Sequence, residues 1–286
     1  MPSIARLALV ASIFACKSEP AKAPKVAPDA SVIDAPVLPA HTSYPDLGAA
    51  LAATIPATAR VVGVGELHAR VDRAAVKQTA LAAFTAALPA IGAKVSDLVV
   101  ETWVVDPKCG QTAVKATQKI ETAVKRPAAT KNEIAVLADA ARAAKIQPHA
   151  MTLQCKDYEM IAPAKGEPDP VAMLTLTTKE LWRVASSAVT YRDKAAEPRP
   201  WIVVYGGALH NDLYPAEGVA EWSYATAIDA TTRGRYVELD LIVPEFAEAA
   251  ETAKQEPWFP LVAGAKQVRV WKRNERSFVV ILPRGT

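Results

Sequence analysis

Apolar runs that alternate with segments of helical period make up most of the chain. Apolar runs that predict buried strands occupy residues 59–65, 97–105, 146–153 and 201–206, and an alternating pattern predicts a strand at 235–243. Apolar residues at helical spacing predict helices over 71–88, 111–145 with a break near Pro127, and 171–190. Residues 268–271 and 277–282 predict a closing antiparallel pair. We therefore expect an α/β fold with a mostly parallel mixed sheet, helices on both faces and an antiparallel pair at the C-terminus.

The first sixteen residues have the layout of an export signal. Arg6 precedes an apolar run from Leu7 to Ala15, and Cys16 follows directly. The Ile-Phe-Ala-Cys ending resembles the lipobox of bacterial lipoproteins, which implies that Cys16 is acylated and becomes the mature N-terminus. Plain secretory cleavage is the alternative. The expectation is a signal peptide at 1–15 and a lipid-anchored protein in the bacterial cell envelope, at the periplasmic face of the inner or outer membrane.

A tether and a single domain follow. Residues 16–42 are rich in Pro and Ala and show no helix or strand period, which indicates an extended linker. Residues 43–286 then form the predicted α/β domain. An oxidising compartment would allow Cys109 and Cys155 to form a disulfide, but the sequence leaves open whether they meet.

The charge and composition of the chain indicate which classes of molecule it binds. Lys and Arg number 33 and Asp and Glu number 30, without a long basic run, which argues against nucleic-acid binding as the main function. Apart from the membrane reached through the anchor, the expected partner is a small-molecule or peptide substrate.

Acidic and imidazole side chains follow three of the predicted strands. The first strand ends in Gly-Glu-Leu-His with Glu66 and His68, the second runs into Glu101, and the fourth leads to Gly-Ala-Leu-His with His210. Because ligands of open α/β sheets bind at the carboxyl ends of strands, these side chains are candidates for one site. A glycine at each turn allows a ligand to approach the backbone closely.

These motifs resemble those of the Tiki/TraB/ChaN-like superfamily, which also contains erythromycin-esterase-type hydrolases. The resemblance spans roughly residues 59–212. It implies that Glu66, His68, Glu101 and His210 line one pocket. Members of the superfamily include metal-dependent peptidases, lactone-ester hydrolases and haem-binding proteins, so the resemblance implies a pocket rather than one reaction.

Two versions of the chemistry are compatible with these residues. In the first, His68, His210 and one glutamate, Glu66 or Glu101, bind Zn²⁺, Mn²⁺ or Co²⁺, and the other glutamate acts as catalytic base. In the second, a glutamate orients a histidine that deprotonates water without a metal. A serine nucleophile is disfavoured because the sequence has no Gly-x-Ser-x-Gly element.

Three further residues are candidates for supporting roles. Tyr205 and Asp212 flank the second motif and could fix the imidazole tautomers. His149, at the predicted end of the third strand, could join the pocket, although ordinary structural roles explain each of the three as well.

The leading hypothesis is a membrane-tethered hydrolase of amide or ester bonds, with a divalent metal as the expected cofactor. The alternative hypothesis is a non-catalytic lipoprotein that binds haem or another small ligand. A third hypothesis is a scaffold protein that has lost its activity.

Overall fold

The computed structural model describes residues 38–73 and 75–285 of the 286-residue chain. The predicted signal peptide, Cys16 and the predicted tether up to residue 37 lie outside the described residues. The compact unit begins at Leu38, and a strand already starts at Thr42, one residue before the predicted domain boundary. None of the helices in the described ranges has the length and apolar character needed to cross a membrane.

The described part of the chain alternates strands and helices. The strands are β1 Thr42–Tyr44, β2 Val61–Glu66, β3 Val95–Val104, β4 Gln147–Thr152, β5 Trp201–Gly207, β6 Tyr236–Ile242, β7 Val268–Asn274 and β8 Ser277–Ile281. The α-helices are α1 Leu47–Thr54, α2 Ala80–Ile91, α3 Gly110–Val124, α4 Ala129–Ala143, α5 Cys155–Ile161, α6 Pro170–Lys194, α7 Ala208–Asn211, α8 Ala225–Thr231 and α9 Pro244–Glu248. Short 3₁₀ turns cover Gly92–Lys94, Pro107–Cys109, Glu217–Trp222, Ala253–Gln255 and Phe259–Val262.

The strands form one mixed sheet in the order β1-β7-β8-β6-β2-β5-β3-β4. All neighbouring pairs from β8 to β4 are parallel, whereas β7 runs antiparallel to β8 and to β1. The predicted fold class is therefore confirmed, including the antiparallel pair near the C-terminus. The short edge strand β1 was not predicted.

The sheet has a hydrophobic core on each face. Val62 of β2 lies in one core with Phe84 and Leu88 of α2. Val61, the preceding residue, lies in the opposite core with Leu181 of α6. Alternate residues of a strand point to opposite faces, and both faces of β2 are covered by helices, so the strand is apolar on both sides.

One predicted helix differs from the observed one. The pattern over 71–88 predicts a helix there, but α2 begins at Ala80, where the Thr79 side chain caps the first turn. Val71 and Asp72, at the start of that segment, are instead hydrogen-bonded to Lys125 in the loop after α3. The helix then continues through Pro89 to the buried Ile91, because packing of this apolar turn offsets the backbone hydrogen bond that proline cannot make.

A disulfide joins the segment between β3 and α3 to helix α5. Cys109 and Cys155 are bonded, with their Cα atoms 5.0 Å apart, which answers the question that the sequence left open. The bond joins the segment before α3 to the first residue of α5. Beside it, Ile120 of α3 and Tyr158 of α5 are buried in a small core of their own. The disulfide and this small core therefore hold helix α3, at whose end the loop to α4 begins, against α5.

Candidate functional site

Three neighbouring strands bring their carboxyl ends to one edge of the sheet. Strand β5 lies between β2 and β3, and all three are parallel. Glu66, the last residue of β2, is in register with Gly207, the last residue of β5. Val100 of β3 is in register with Tyr205. The edge therefore brings together residues from distant parts of the sequence.

Glu101 lies where β3 departs from regular pairing. The register between β3 and β4 shifts between Val100 and Trp103, and an irregularity of this kind changes the direction of the side chains within it. The Gly207 amide donates a 2.5 Å hydrogen bond to Glu101 Oε2. The Glu101 carboxylate is therefore fixed across the end of β5.

His68 contacts both strand-end carboxylates. Its Nδ1 lies 2.8 Å from Glu66 Oε1, and its Nε2 lies 3.4 Å from Glu101 Oε1. The Tyr205 hydroxyl donates to Glu66 Oε2 at 2.7 Å and so fixes the carboxylate that orients the imidazole. The His68 side chain is 29% exposed, against 9% for Glu66 and 12% for Glu101, so the imidazole is the accessible part of the group.

Arg126 enters the site from the loop between α3 and α4. Its Nη2 lies 2.8 Å from His68 Nε2 and 3.3 Å from Glu101 Oε1. The preceding residue, Lys125, pairs with Asp72 at 3.0 Å and so joins this loop to the loop after β2. A guanidinium only donates hydrogen bonds, so its contact with Nε2 is a hydrogen bond only when that nitrogen carries no proton.

The surroundings of His68 and Glu101 favour the charged form of each side chain. Burial and the Arg126 charge lower the pKa of His68, but the charge of Glu101 and hydrogen bonds to Glu101 and Glu66 outweigh them and raise it to about 9. Burial raises the pKa of Glu101, yet the charge and hydrogen bond of His68, together with the charge of Arg126, hold it well below its usual range. Two groups therefore compete for His68 Nε2: Arg126 binds it when it is unprotonated, and Glu101 binds it when it carries a proton.

Two glycines at the end of β5 make room for this cluster. A Cβ at Gly206 would lie 2.6 Å from Glu101 Oε2, and a Cβ at Gly207 would lie 3.0 Å from His68 Nε2. A side chain at either position would displace the carboxylate or the imidazole. The Gly-Gly pair that ends β5 is therefore required by the packing of the site.

His210 lies on α7, directly after β5, and is 4% exposed. Its Nδ1 lies 2.8 Å from Thr178 Oγ1 and 2.9 Å from the Trp222 carbonyl oxygen. The residue stands three positions after Gly207, the last residue of β5, whose amide binds Glu101. The structure thus groups Glu66, His68 and Glu101 by direct contact and places His210 on the turn that follows the same strand end.

The three supporting candidates have separate positions. Tyr205 binds Glu66, and burial together with the Glu66 charge and hydrogen bond raises the pKa of its hydroxyl well above the usual value. Asp212 accepts a 3.2 Å hydrogen bond from Arg273 in a different cluster. His149 lies within β4 rather than at its end, and its Nε2 contacts Asp97 at 2.8 Å.

The predicted metal ligands are not arranged as a metal site. Within residues 38–73 and 75–285, no group of three His, Cys, Asp or Glu side chains could hold a metal ion. His68 Nε2, the nitrogen left for coordination, faces the Arg126 guanidinium at 2.8 Å, and that positive charge opposes a cation there. Glu66 is engaged by His68 and Tyr205. In this arrangement His68, His210 and Glu66 do not fit a bound metal.

Sequence reasoning did not find Arg126 or Thr178. Arg126 stands at the predicted break near Pro127, and Thr178 lies inside a long helix. Neither residue belongs to a motif, and each reaches the site only through the packing of α3 and α6. The one available signal is the helix break, because loops that leave a scaffold often carry functional side chains.

Fold and site together define an α/β protein with an acid–base cluster at the carboxyl edge of its sheet. No protein-family model matches the chain, and no curated protein matches it. A solved structure, that of the type III effector HopBA1, is similar over 85% of this chain and 97% of the effector chain, with 15% identity and a TM-score of 0.44. This similarity does not assign the chain to a family.

Proposed function

We propose that the chain is a hydrolase that cleaves an ester or amide bond in a small-molecule or peptide substrate, with His68 as its general base. The observation that carries this proposal is the pairing of His68 Nδ1 with Glu66 at 2.8 Å, which leaves Nε2 as the nitrogen that faces Arg126 and Glu101. A carboxylate that holds one imidazole nitrogen makes the other nitrogen a directed proton acceptor. The resemblance of the two Gly-x-x-His motifs to the Tiki/TraB/ChaN-like superfamily implies the same pocket and does not by itself select the reaction.

The reaction begins with a water molecule hydrogen-bonded to unprotonated His68 Nε2. The water oxygen attacks the carbonyl carbon, and the proton that it loses moves to Nε2. Glu66 and Glu101 stabilise the imidazolium that forms, as the raised pKa of His68 reflects. When the carbon–oxygen or carbon–nitrogen bond breaks, the imidazolium returns the proton to the leaving group. The products are a carboxylic acid and an alcohol or amine.

Arg126 supplies the positive charge for the carbonyl oxygen. Its side chain is 25% exposed and covers His68 Nε2, so a substrate that reaches the base must contact it. When the guanidinium donates to the substrate oxygen instead of to Nε2, the base becomes free for water. Charge that develops on the oxygen in the transition state then lies beside a fixed cation.

We further propose that the protein is exported and lipid-anchored at Cys16. The layout of residues 1–16 supports export, and the Cys109–Cys155 disulfide agrees with an oxidising compartment. Metabolic labelling with a radioactive fatty acid tests the anchor. Label in the wild type that is absent from Cys16→Ala supports it, and equal label in both overturns it.

A hydrolase panel on the full chain tests the proposed reaction. The panel contains chromogenic esters, lactones, anilides and peptides, each assayed after dialysis against EDTA and again with Zn²⁺, Mn²⁺ or Co²⁺. Turnover of an ester or amide that survives EDTA supports a His68 base without metal. Turnover that requires an added metal overturns this route, and no turnover in any condition overturns the hydrolase proposal.

Titration of the same preparation with haem tests the alternative. If the protein shows no turnover but binds haem with a Soret shift and a stoichiometric end point, the hydrolase proposal is replaced by the ligand-binding alternative. A preparation that turns over substrate without a Soret shift supports the hydrolase.

A further inference from the structure

The contacts of His210 determine which of its ring nitrogens carries a proton. The Trp222 carbonyl oxygen lies 2.9 Å from Nδ1, and a carbonyl can only accept a hydrogen bond. Nδ1 must therefore be the protonated nitrogen for this contact to be favourable. In the neutral ring, Nε2 then has a free lone pair.

Thr178 completes this arrangement from helix α6. Its Oγ1 lies 2.8 Å from His210 Nδ1, 2.9 Å from the Trp222 carbonyl and 2.9 Å from the Leu174 carbonyl. The single hydroxyl proton goes to a carbonyl, so Oγ1 is left to accept from Nδ1. Two acceptors therefore share the Nδ1 proton and hold the plane of the ring.

The backbone around His210 is fixed as well. Its carbonyl oxygen accepts hydrogen bonds from the Tyr224 amide at 3.0 Å and from the Ser223 hydroxyl at 3.3 Å. The Tyr236 hydroxyl donates to the Asn211 carbonyl at 3.0 Å, on the next residue of α7. Ring and backbone are thus both held, while Nε2 has no hydrogen-bond partner in the described part of the chain.

We propose that Thr178 is a positioning residue that, with the Trp222 carbonyl, keeps His210 in the Nδ1–H tautomer so that its Nε2 acts as a second hydrogen-bond acceptor for the attacking water. The catalytic part of this inference rests on the proposed hydrolase function. The attacking water has two protons: one moves to His68, and the other stays on the water and donates to His210 Nε2. The water is thereby oriented, and His210 undergoes no net proton transfer.

Nitrogen-15 NMR of the full chain, labelled in histidine, tests the tautomer directly. The sequence contains four histidines, so His→Gln substitutions one at a time assign the spectrum. Wild type and Thr178→Ser should show a protonated Nδ1 and an unprotonated Nε2 for His210. Thr178→Val should lose this single pattern and show exchange between tautomers. A proton on Nε2 in the wild type, or an unchanged spectrum in Thr178→Val, overturns the inference.

Kinetics test the functional part. Thr178→Val should lower kcat about tenfold with little change in KM, and Thr178→Ser should restore it. Thr177→Val, at the neighbouring buried threonine of the same helix, is the matched control and should keep both the spectrum and kcat. The wild-type tautomer in a chain without turnover would contradict the hydrolase proposal alone. A wild-type kcat in Thr178→Val would contradict the positioning role alone.

Discussion

Strand β3 carries two carboxylates that each contact one histidine and one arginine, Asp97 near its start and Glu101 near its end. Around Asp97, His149 Nε2 lies at 2.8 Å and Arg192 Nε lies at 2.7 Å. Around Glu101, His68 Nε2 lies at 3.4 Å and Arg126 Nη2 lies at 3.3 Å. The same three chemical groups therefore occur twice on one strand.

The two clusters differ in the ratio of carboxylates to imidazoles. Asp97 is 2% exposed and contacts His149 and Arg192, and although burial raises its pKa, hydrogen bonds to these two residues outweigh this and lower it to about 2. At the strand end, Glu66 adds a second carboxylate on the other nitrogen of His68. The two imidazoles are similarly exposed, at 31% for His149 and 29% for His68, but the first is contacted by one carboxylate and the second by two.

The origin of the arginine separates the clusters further. Arg192 projects from the long helix α6 and also pairs with Glu197, so it is held on two sides. Arg126 projects from a loop and contacts an imidazole nitrogen rather than a carboxylate alone. The residue types alone therefore do not define the site. What distinguishes it is its position at the carboxyl edge, the second carboxylate on His68 and an arginine that faces an imidazole nitrogen.

The largest expected effect is on turnover. His68→Gln should lower kcat/KM by about 10³-fold, because the general base is removed, whereas His149→Gln should change it by less than about twofold. Steady-state kinetics on a substrate from the hydrolase panel measure both variants. Equal losses of kcat/KM in the two variants would show that the clusters do not differ in function.

A smaller effect is expected on stability. Here the Asp97 cluster should contribute more than the Glu101 cluster. Arg192→Gln should lower the free energy of unfolding by about 2–3 kcal/mol, because Asp97 stays buried with one cationic partner fewer. Arg126→Gln should lower it by less than about 1 kcal/mol, because this side chain is 25% exposed and lies on a loop. Urea denaturation at pH 7 compares the two variants. A greater loss for Arg126→Gln would identify the strand-end cluster as a structural ion pair.

The smallest expected effect is a shift of the pH profile. The base form of His68 grows as the pH approaches its pKa of about 9, so kcat/KM should rise across neutral pH and level off above that value. Arg126 lowers this pKa and Glu101 raises it, so Arg126→Gln should move the midpoint up and Glu101→Gln should move it down. Lys131→Gln removes a charge that is 72% exposed and should leave the midpoint in place. A shift of both site variants in the same direction would contradict the electrostatic account.

Periodicity predicted the fold well and predicted loop positions poorly. The five parallel strands and the closing pair were all found. For β2 and β5 the reason is burial on both faces, which makes a strand apolar throughout. The predicted helix over 71–88 was wrong at its start. The alanines of this segment satisfy helical spacing, but the helix begins only at Ala80, after the capping residue Thr79. Strand β1 is three residues long, too short to show a period.

The sequence by itself determined the α/β class and the candidates Glu66, His68, Glu101 and His210. Local patterns specify these, because a strand end marks the edge at which polar side chains collect. Only the tertiary structure decided that His68 contacts both glutamates, that Arg126 covers its free nitrogen, that Thr178 holds His210, and that His149 belongs to the Asp97 cluster. These contacts join residues up to 58 positions apart, and no local pattern encodes which loop or helix packs over a given strand end.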